Sequence, residues 1–220
     1  MRGAMEIAVA RPHPARQSGR FRPGSYGIAT AALLLACAAG VMVGKAAMDP
    51  GTAAAIVMHR LHLLQAAPWW PASLETILWE IRLPRVAMGA LVGAGLSVAG
   101  ATYQGLFRNP LADPYLVGVA AGAGLGATMA MAAPLPAALY SLGIIQFAAF
   151  GSALLAMGLV YSLARVGGST PITTLVLAGV AVGALANAIT SFLMYAHGDK
   201  LAVIYSWMLG GFNVTTWRQA

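Results

Sequence analysis

Charged side chains are scarce in this sequence, and their scarcity excludes an ordinary soluble fold. Only 9% of the 220 residues are charged, whereas a soluble domain carries about 25%. Hydrophobic residues make up 59% of the chain and 26 residues are glycine, which is more frequent in membrane helices than in soluble ones. The composition therefore predicts a membrane protein.

Cysteine and buried ionisable groups are also lacking. The chain has one cysteine, Cys37, which excludes an internal disulfide and a metal site built from several cysteines. All six acidic residues and all four histidines lie outside the membrane spans predicted below, although proton relays and ion pumps usually bury such groups. Neither an HExxH motif nor a P-loop is present. The sequence therefore predicts neither an enzyme nor a cofactor.

Two histidines are the nearest approach to a metal site. His59 and His62 are three residues apart and could share one face of a helix. A metal site needs more ligands and a supporting set of hydrogen-bonding groups. Two histidines alone therefore do not predict one.

Positive charge is concentrated before the first apolar run. The net charge is +7, and a single acid, Glu6, accompanies five arginines in this segment, namely Arg2, Arg11, Arg16, Arg20 and Arg22. No basic stripe with interleaved aromatics follows, so nucleic acid is not a predicted partner. A basic tail beside a membrane span is typical of the cytoplasmic side. We therefore assign residues 1–24 to a cytoplasmic tail.

Four charge-free runs reach the length of about 20 residues that a membrane helix needs. The third run covers residues 114–164, and Pro134 and Pro136 near its middle favour a turn between two helices. We therefore predict an all-α fold, a polytopic transmembrane helix bundle. Its five spans are expected near residues 25–44, 86–107, 116–133, 137–164 and 171–195.

The segment 45–83 separates the first two spans. With the N-terminal tail inside, Arg108 and Arg165 also fall inside, and this segment becomes an external loop. It contains apolar residues at helical spacing and three tryptophans, which favour the headgroup region of a bilayer. We expect one or two interfacial helices in this loop.

Glycine pairs four residues apart predict close packing between the helices. In lipid, small residues let two backbones approach, because burial of apolar surface supplies little drive there. The pairs are Gly40/Gly44, Gly89/Gly93, Gly118/Gly122 and Gly179/Gly183.

The fifth predicted span carries a narrow polar stripe. At about 100° per residue, Thr173, Asn187 and Ser191 fall on one face of this helix. Two interpretations remain open: hydrogen bonding between helices, a frequent use of such side chains in membranes, or the wall of a water-accessible path. The preceding segment 167–171 predicts a turn with small hydroxyls on the cytoplasmic side.

From about residue 80 onward, several motifs resemble those of one transporter family. They are Arg82-Leu-Pro-Arg85, Gly93-Ala-Gly-Leu96 with Gly100 and Gln104, Arg108-Asn-Pro-Leu-Ala-Asp-Pro114 with Gly118 and Gly122, Leu175–Gly183, and Trp207-Met-Leu-Gly-Gly-Phe212 with Trp217. These motifs are similar to those of FecCD-type permeases, the membrane subunits of ABC importers for iron–siderophore complexes, haem and vitamin B12.

The resemblance implies a larger assembly in the bacterial cytoplasmic membrane. A permease of this family has about ten helices, so residues 25–220 would form its N-terminal part. It pairs with a second permease subunit, either an identical copy or a paralogue. Two cytoplasmic ATPase subunits hydrolyse ATP, and an external binding protein delivers the substrate.

The resemblance also implies roles for individual residues. Arg82 and Arg85 would face acidic residues of the binding protein, the alternative being that they anchor the span to headgroups. Ser169 and Thr170 would contribute to the cytoplasmic gate, and the fifth helix with its polar stripe would line the path. The other motif residues are expected to be mainly structural: Gln104, Arg108, Asn109, Pro110, Asp113 and Pro114.

The expected function is that of a permease subunit moving an iron chelate across the cytoplasmic membrane. The alternatives are a haem or cobalamin permease of the same family, or a truncated membrane protein without transport activity. The family's coupling helices, which grip the ATPases, would lie beyond residue 220, so the chain is expected to be a fragment or a truncated product.

Overall fold

The computed structural model describes residues 23–65, 67–212 and 217. The predicted cytoplasmic tail lies almost entirely outside these residues. In the described part all regular structure is helical, apart from one isolated bridge between Val166 and Ser169. The all-α prediction is confirmed.

The chain divides into two compact units, residues 1–82 and residues 83–220, which are described separately. In its described residues, 23–65 and 67–82, the first unit contains three α-helices and a π-helical segment. They are α1 (Pro23–Met42), α2 (Pro50–Arg60), α3 (Ala72–Thr76) and the π-helical segment Ile77–Arg82.

Helix α2 has well-defined ends. The Asp49 side chain caps its start by accepting a hydrogen bond from the Thr52 N–H at 3.1 Å, and Pro50 occupies the first helical position. At its other end His62 adopts a left-handed conformation with φ 58°. The Leu63 N–H then reaches back to the Met58 carbonyl at 2.8 Å. This pairing closes the helix in the manner of a Schellman motif.

The second unit contains six α-helices and two short 3-10 helices in the described residues. In chain order they are α4 (Leu83–Phe107), a 3-10 helix (Pro114–Val117), α5 (Val119–Ala132), α6 (Ala137–Ser141), α7 (Ile144–Ala164), α8 (Ile172–Ala196), a 3-10 helix (Gly198–Lys200) and α9 (Leu201–Met208).

Four helical segments of the described chain are long and apolar enough to cross a membrane, and they correspond to four of the predicted spans. They are Gly24–Met42, Ala72–Phe107, Ile144–Ala164 and Ile172–Ala196. The remaining predicted span, near residues 116–133, contains α5, which has 14 residues. At a rise of about 1.5 Å per residue it is about 21 Å long, shorter than the hydrocarbon core of about 30 Å.

The fourth predicted span begins later than expected. Residues 137–164 were expected to form one helix, but Gly143 has φ +82° and separates α6 from α7. A left-handed residue ends a helix, and glycine adopts that conformation without steric cost. The turn predicted at Pro134 and Pro136 lies where it was expected, between α5 and α6.

Two of the four glycine pairs bring helices together as predicted. Gly118 has φ +75°, and a β-carbon there would lie 2.9 Å from the carbonyl oxygen of Gly179 in α8. A β-carbon on Gly122 would lie 2.5 Å from the β-carbon of Ala156 in α7. These glycines therefore let α5 approach α7 and α8 at backbone distance. By contrast, a β-carbon on Gly93 would meet no described atom within 4 Å.

Helices α5, α7 and α8 form the packed centre of the second unit. One buried cluster joins the 3-10 helix before α5 to α7 and α8 through Val117, Ala156, Val160, Ala164, Leu175 and Val182. A second cluster contains Ile204, which is fully buried, and so fastens α9 to α5 and α7. These contacts determine which face of α8 is packed and which is left open.

Candidate translocation path and helix-end sites

Arg82 lies at the end of the π-helical segment and is buried, with 7% of its surface exposed. Its Nη1 donates hydrogen bonds to the carbonyl oxygens of Val41 at 2.9 Å and Met42 at 3.2 Å, and its Nη2 donates to that of Ala46. Gly44 leaves the necessary room, because a β-carbon there would lie 2.5 Å from Nη2. The guanidinium thus binds the carbonyls at the C-terminal end of α1, where backbone partners are missing.

Arg85, the second arginine of the same motif, lies in a different setting. It occupies the first turn of α4 and is exposed. Its exposed position fits a docking role, which stays a prediction for both arginines. In the observed arrangement the Arg82 side chain donates hydrogen bonds to backbone carbonyls at the end of α1 instead.

The turn after α4 accounts for most of the predicted structural motif. Arg108 has φ 48°, and the Asn109 N–H bonds to the Gln104 carbonyl at 3.2 Å, which closes the helix. The Asp113 carboxylate accepts a hydrogen bond from the Tyr115 N–H at 2.8 Å and so caps the following 3-10 helix.

The Asn109 side chain and the two prolines of this turn also have local roles. The Asn109 side chain accepts a hydrogen bond from the Leu111 N–H at 2.9 Å. Pro110 follows directly after the helix-closing pair, where a residue that cannot continue the helix is favoured. Pro114 begins the 3-10 helix, where its missing N–H costs nothing.

The predicted gate residues lie in a tight turn between α7 and α8. Gly167 and Gly168 both have positive φ, 58° and 84°, as a two-residue primed turn requires. Val166 and Ser169 exchange two backbone hydrogen bonds of 2.9 Å and 3.0 Å across it. Ser169 is exposed and Thr170 is half-buried just before α8 begins. The turn therefore holds both hydroxyls at one end of α8.

The polar stripe of α8 lies outside the packed face of that helix. Thr173, Asn187 and Ser191 are all exposed. The packed face consists instead of Leu175, Gly179, Val182, Gly183, Ala186 and Thr190. In the part of the chain that the structure describes, none of the three stripe side chains has a hydrogen-bond partner. Both interpretations of the stripe, bonding to another helix and a water-accessible path, therefore stay predictions.

A shallow groove continues the stripe at the far end of α8. It has a volume of about 430 Å³ and is lined by Ser191, Met194, Tyr195, Gly198 and Leu201. Thr173 lies in the first turn of α8, and Asn187 lies about 21 Å further along the helix, at about 1.5 Å per residue. The structure thus distributes the predicted path residues along most of the length of one helix.

Sequence reasoning missed a second helix end that side chains close. The Lys200 ammonium donates hydrogen bonds to the carbonyl oxygens of Met131 at 3.0 Å and Ala132 at 2.9 Å. The Tyr140 hydroxyl donates a hydrogen bond to the carbonyl oxygen of Ala133 at 3.1 Å. Cations are favoured at helix C-termini, and the signal in the sequence is a lone lysine beside a short helical turn. Only the folded chain shows that it serves α5, nearly 70 residues earlier.

Long apolar helices, packed through glycines and carrying one open polar stripe, define a polytopic membrane protein. The model of the FecCD transport family matches residues 32–220. The chain therefore belongs to the FecCD transport family.

Several curated relatives are similar to this chain over about two thirds of its length. The cobalamin import system permease BtuC of Halobacterium salinarum is 43% identical over 148 residues, which cover 67% of this chain and 39% of the relative. YvrB, an uncharacterized ABC transporter permease of Bacillus subtilis, is 42% identical, covering 64% and 40%. The vitamin B12 permease BtuC of Citrobacter koseri is 40% identical, covering 69% and 45%. The chain spans less than half of these relatives' length.

A solved structure shares the fold. It is described as an inward-facing conformation of a metal-chelate type ABC transporter, and it superimposes with a TM-score of 0.70 at 24% sequence identity. The match covers 90% of this chain and 56% of that one.

Proposed function

We propose that this chain is part of the permease subunit of a binding-protein-dependent ABC importer for a metal chelate. The observation that carries the proposal is the exposed stripe of Thr173, Asn187 and Ser191 on α8, in a chain that belongs to the FecCD transport family. An uncharged wall of small side chains suits a large substrate that has to bind weakly enough to leave.

Cobalamin is the substrate that the relatives favour. Two of the relatives described above are named for cobalamin or vitamin B12 import, and one of them is 43% identical to this chain. An iron–siderophore complex, the expectation from sequence, has no comparable support among these names. Haem, like cobalamin, is a metal held in a flat ring, and it remains a further alternative.

The proposed assembly contains more than this chain. A second permease subunit would complete the path, two ATPase subunits would drive transport from the cytoplasm, and an external protein would deliver the chelate. The permease would lie in the bacterial cytoplasmic membrane with its N-terminus inside. Arg85, together with Arg82 if its side chain is released from α1, would meet the binding protein, and Ser169 and Thr170 would form part of the cytoplasmic gate.

Uptake by cells tests the proposal directly. We would delete the gene, restore its complete product, and measure accumulation of cobalt-labelled cobalamin, an iron-labelled siderophore complex and iron-labelled haem. Loss of cobalamin uptake alone would support the cobalamin assignment. Loss of uptake of the siderophore complex or of haem instead would assign that chelate as the substrate. Uptake that persists after deletion of the ATPase gene next to this gene would contradict an ABC importer. If deletion of this gene reduces the uptake of none of the three chelates, the result would favour a membrane protein without transport activity.

A further inference from the structure

A polar pocket lies in the first unit, between the end of α2 and the start of α3. It has a volume of about 360 Å³ and is lined by His59, Arg60, His62, Leu64, Gln65 and Glu75. None of these residues belongs to the family motifs or to the proposed path. Its size falls within the range of small-molecule sites, about 300–1,000 Å³.

The one carboxylate among the lining residues, that of Glu75, already has two partners. The Arg60 Nε lies 2.6 Å from Glu75 Oε1, and the other carboxylate oxygen accepts a hydrogen bond from the Trp70 Nε1–H at 3.4 Å. The Arg60 guanidinium also lies over the Trp79 ring, 5.8 Å from its centroid. Glu75 thus fixes the guanidinium by its Nε edge. In the described part of the chain no acceptor meets the Nη groups, which are the fork that binds carboxylates and phosphates.

The backbone of His62 gives an independent reason to look at this pocket. With φ 58°, His62 occupies the left-handed position that ends α2, where glycine is the usual residue. A side chain in this conformation carries a steric cost, and such costs cluster at sites where the side chain is needed. Here the costly residue is one that lines the pocket.

The remaining polar groups favour an anion. Because Glu75 is paired with the Arg60 Nε, the lining still offers the Arg60 Nη groups, two imidazoles and the Gln65 amide, all of which can donate hydrogen bonds. Both Glu75 carboxylate oxygens already have partners, which leaves no free carboxylate to attract a cation, and the described residues contain no group of three metal-ligating side chains. His59 is held in place by an edge-on contact with the Trp70 ring at 5.7 Å.

We propose that this pocket of the 45–83 segment is a binding site for an oxyanion, a carboxylate or phosphate group, held by the Arg60 Nη groups and the His62 imidazole. The ligand can come from a small organic acid, from free phosphate or from a phospholipid headgroup. The site does not depend on the proposed transport function, because its chemistry lies entirely within the first unit.

The test is a calorimetric titration of the complete protein in a maltoside detergent. The probes are sodium citrate, sodium phosphate and dioctanoyl-phosphatidylglycerol, each compared with sodium chloride at equal ionic strength. Saturable heat with any of the three supports the site, and the probe that binds tightest identifies the source. No binding of any probe, or an equal response to chloride, overturns it.

Two variants link binding to the named residues. His62→Gly removes the imidazole but keeps the left-handed turn, so we expect a melting temperature equal to or above that of the wild type and a dissociation constant raised about tenfold, the loss of one hydrogen bond to an anion. Arg60→Lys should also weaken binding, because an ammonium lacks the planar fork.

Arg108→Gly is the matched control, because Arg108 occupies the same left-handed position at the end of another helix, with φ 48°, and does not line the pocket. It should gain stability for the same backbone reason without changing anion affinity. If His62→Gly is folded and binds as tightly as the wild type, the assignment of His62 is overturned.

Discussion

The Arg82 guanidinium donates a hydrogen bond of 2.9 Å to the carbonyl oxygen of Val41, 41 residues earlier in the chain. Two further carbonyls, those of Met42 and Ala46, accept from the same side chain. The C-terminal end of a helix carries unpaired carbonyls and partial negative charge. A motif arginine expected to face a partner protein therefore closes the end of α1 in this arrangement.

Removing this cation should destabilise the first unit. We expect Arg82→Met to lower the free energy of unfolding by about 2–4 kcal/mol, because it leaves three partly buried carbonyls without this donor. Arg82→Lys should lose less, since an ammonium can still reach one or two of them. Lys45→Gln is the control, as Lys45 is an exposed cation in the same turn. Denaturation in detergent micelles, followed by tryptophan fluorescence, measures all three, and equal stability of Arg82→Met and Lys45→Gln would contradict the capping role.

Docking is tested better at Arg85 than at Arg82. We expect Arg85→Glu to weaken association with the external binding protein and to reduce its dependence on salt, because a surface cation contributes mainly through screened electrostatic attraction. Surface plasmon resonance on the reconstituted permease, at two salt concentrations, gives both quantities. An unchanged affinity and salt dependence would leave Arg85 as a headgroup anchor. Arg82→Glu needs a stability measurement beside it, since loss of binding there can follow from loss of the α1 contact.

Close packing at Gly118 gives a sharper stability prediction. Gly118→Ala would place a methyl group 2.9 Å from the Gly179 carbonyl in a left-handed conformation. We expect a loss of about 2–4 kcal/mol, from backbone strain together with overpacking. Gly151→Ala in α7 is the matched control, because a β-carbon there meets no described atom within 4 Å, and it should be neutral or slightly stabilising. Thermal unfolding monitored by circular dichroism separates the two, and equal melting temperatures would show that α5 and α8 are not in contact at this point.

The features that could be predicted from sequence are those that depend on local chain properties. The long apolar runs predicted five spans, four of which correspond to helices of spanning length, and Pro134 and Pro136 predicted the break after α5. Glycine spacing predicted where α5 meets its neighbours, because a missing side chain is informative whichever helix approaches. The exception is Gly143, whose left-handed backbone divides one predicted span. An isolated glycine in an apolar run does not by itself predict a left-handed conformation.

The partners of the cations could not be predicted, because they are non-local. Arg82 bonds to carbonyls about 40 residues away and Lys200 to carbonyls nearly 70 residues away. Any cation in a loop can serve a helix end, a headgroup or a partner protein, and sequence spacing does not decide among them. The residues of the polar stripe were found from periodicity alone, but only the packing of α8 reveals that the stripe is open.

Lys200 should stabilise the end of α5. We expect Lys200→Met to cost about 1–3 kcal/mol, because two carbonyls at this helix end lose a charged donor. Lys200→Arg should retain most of the stability, and Asp199→Asn serves as a neighbouring exposed control. Hydrogen exchange of the residues near 130–133 measures the local effect. Protection there that is unchanged in Lys200→Met would contradict the contact.

The stripe on α8 should affect transport more than stability. Asn187→Leu replaces an exposed amide by a larger apolar side chain, so we expect uptake by the complete permease to fall about tenfold or more if this face lines the path, through narrowing and loss of polarity. The melting temperature should stay within a few degrees, because Asn187 is exposed and is not one of the buried residues of α8. Leu185→Ala is the control, since Leu185 is also exposed but lies about 160° from Asn187 around the helix, at about 100° per residue. If Leu185→Ala reduces uptake as strongly as Asn187→Leu while both remain folded, the path does not run along Thr173, Asn187 and Ser191.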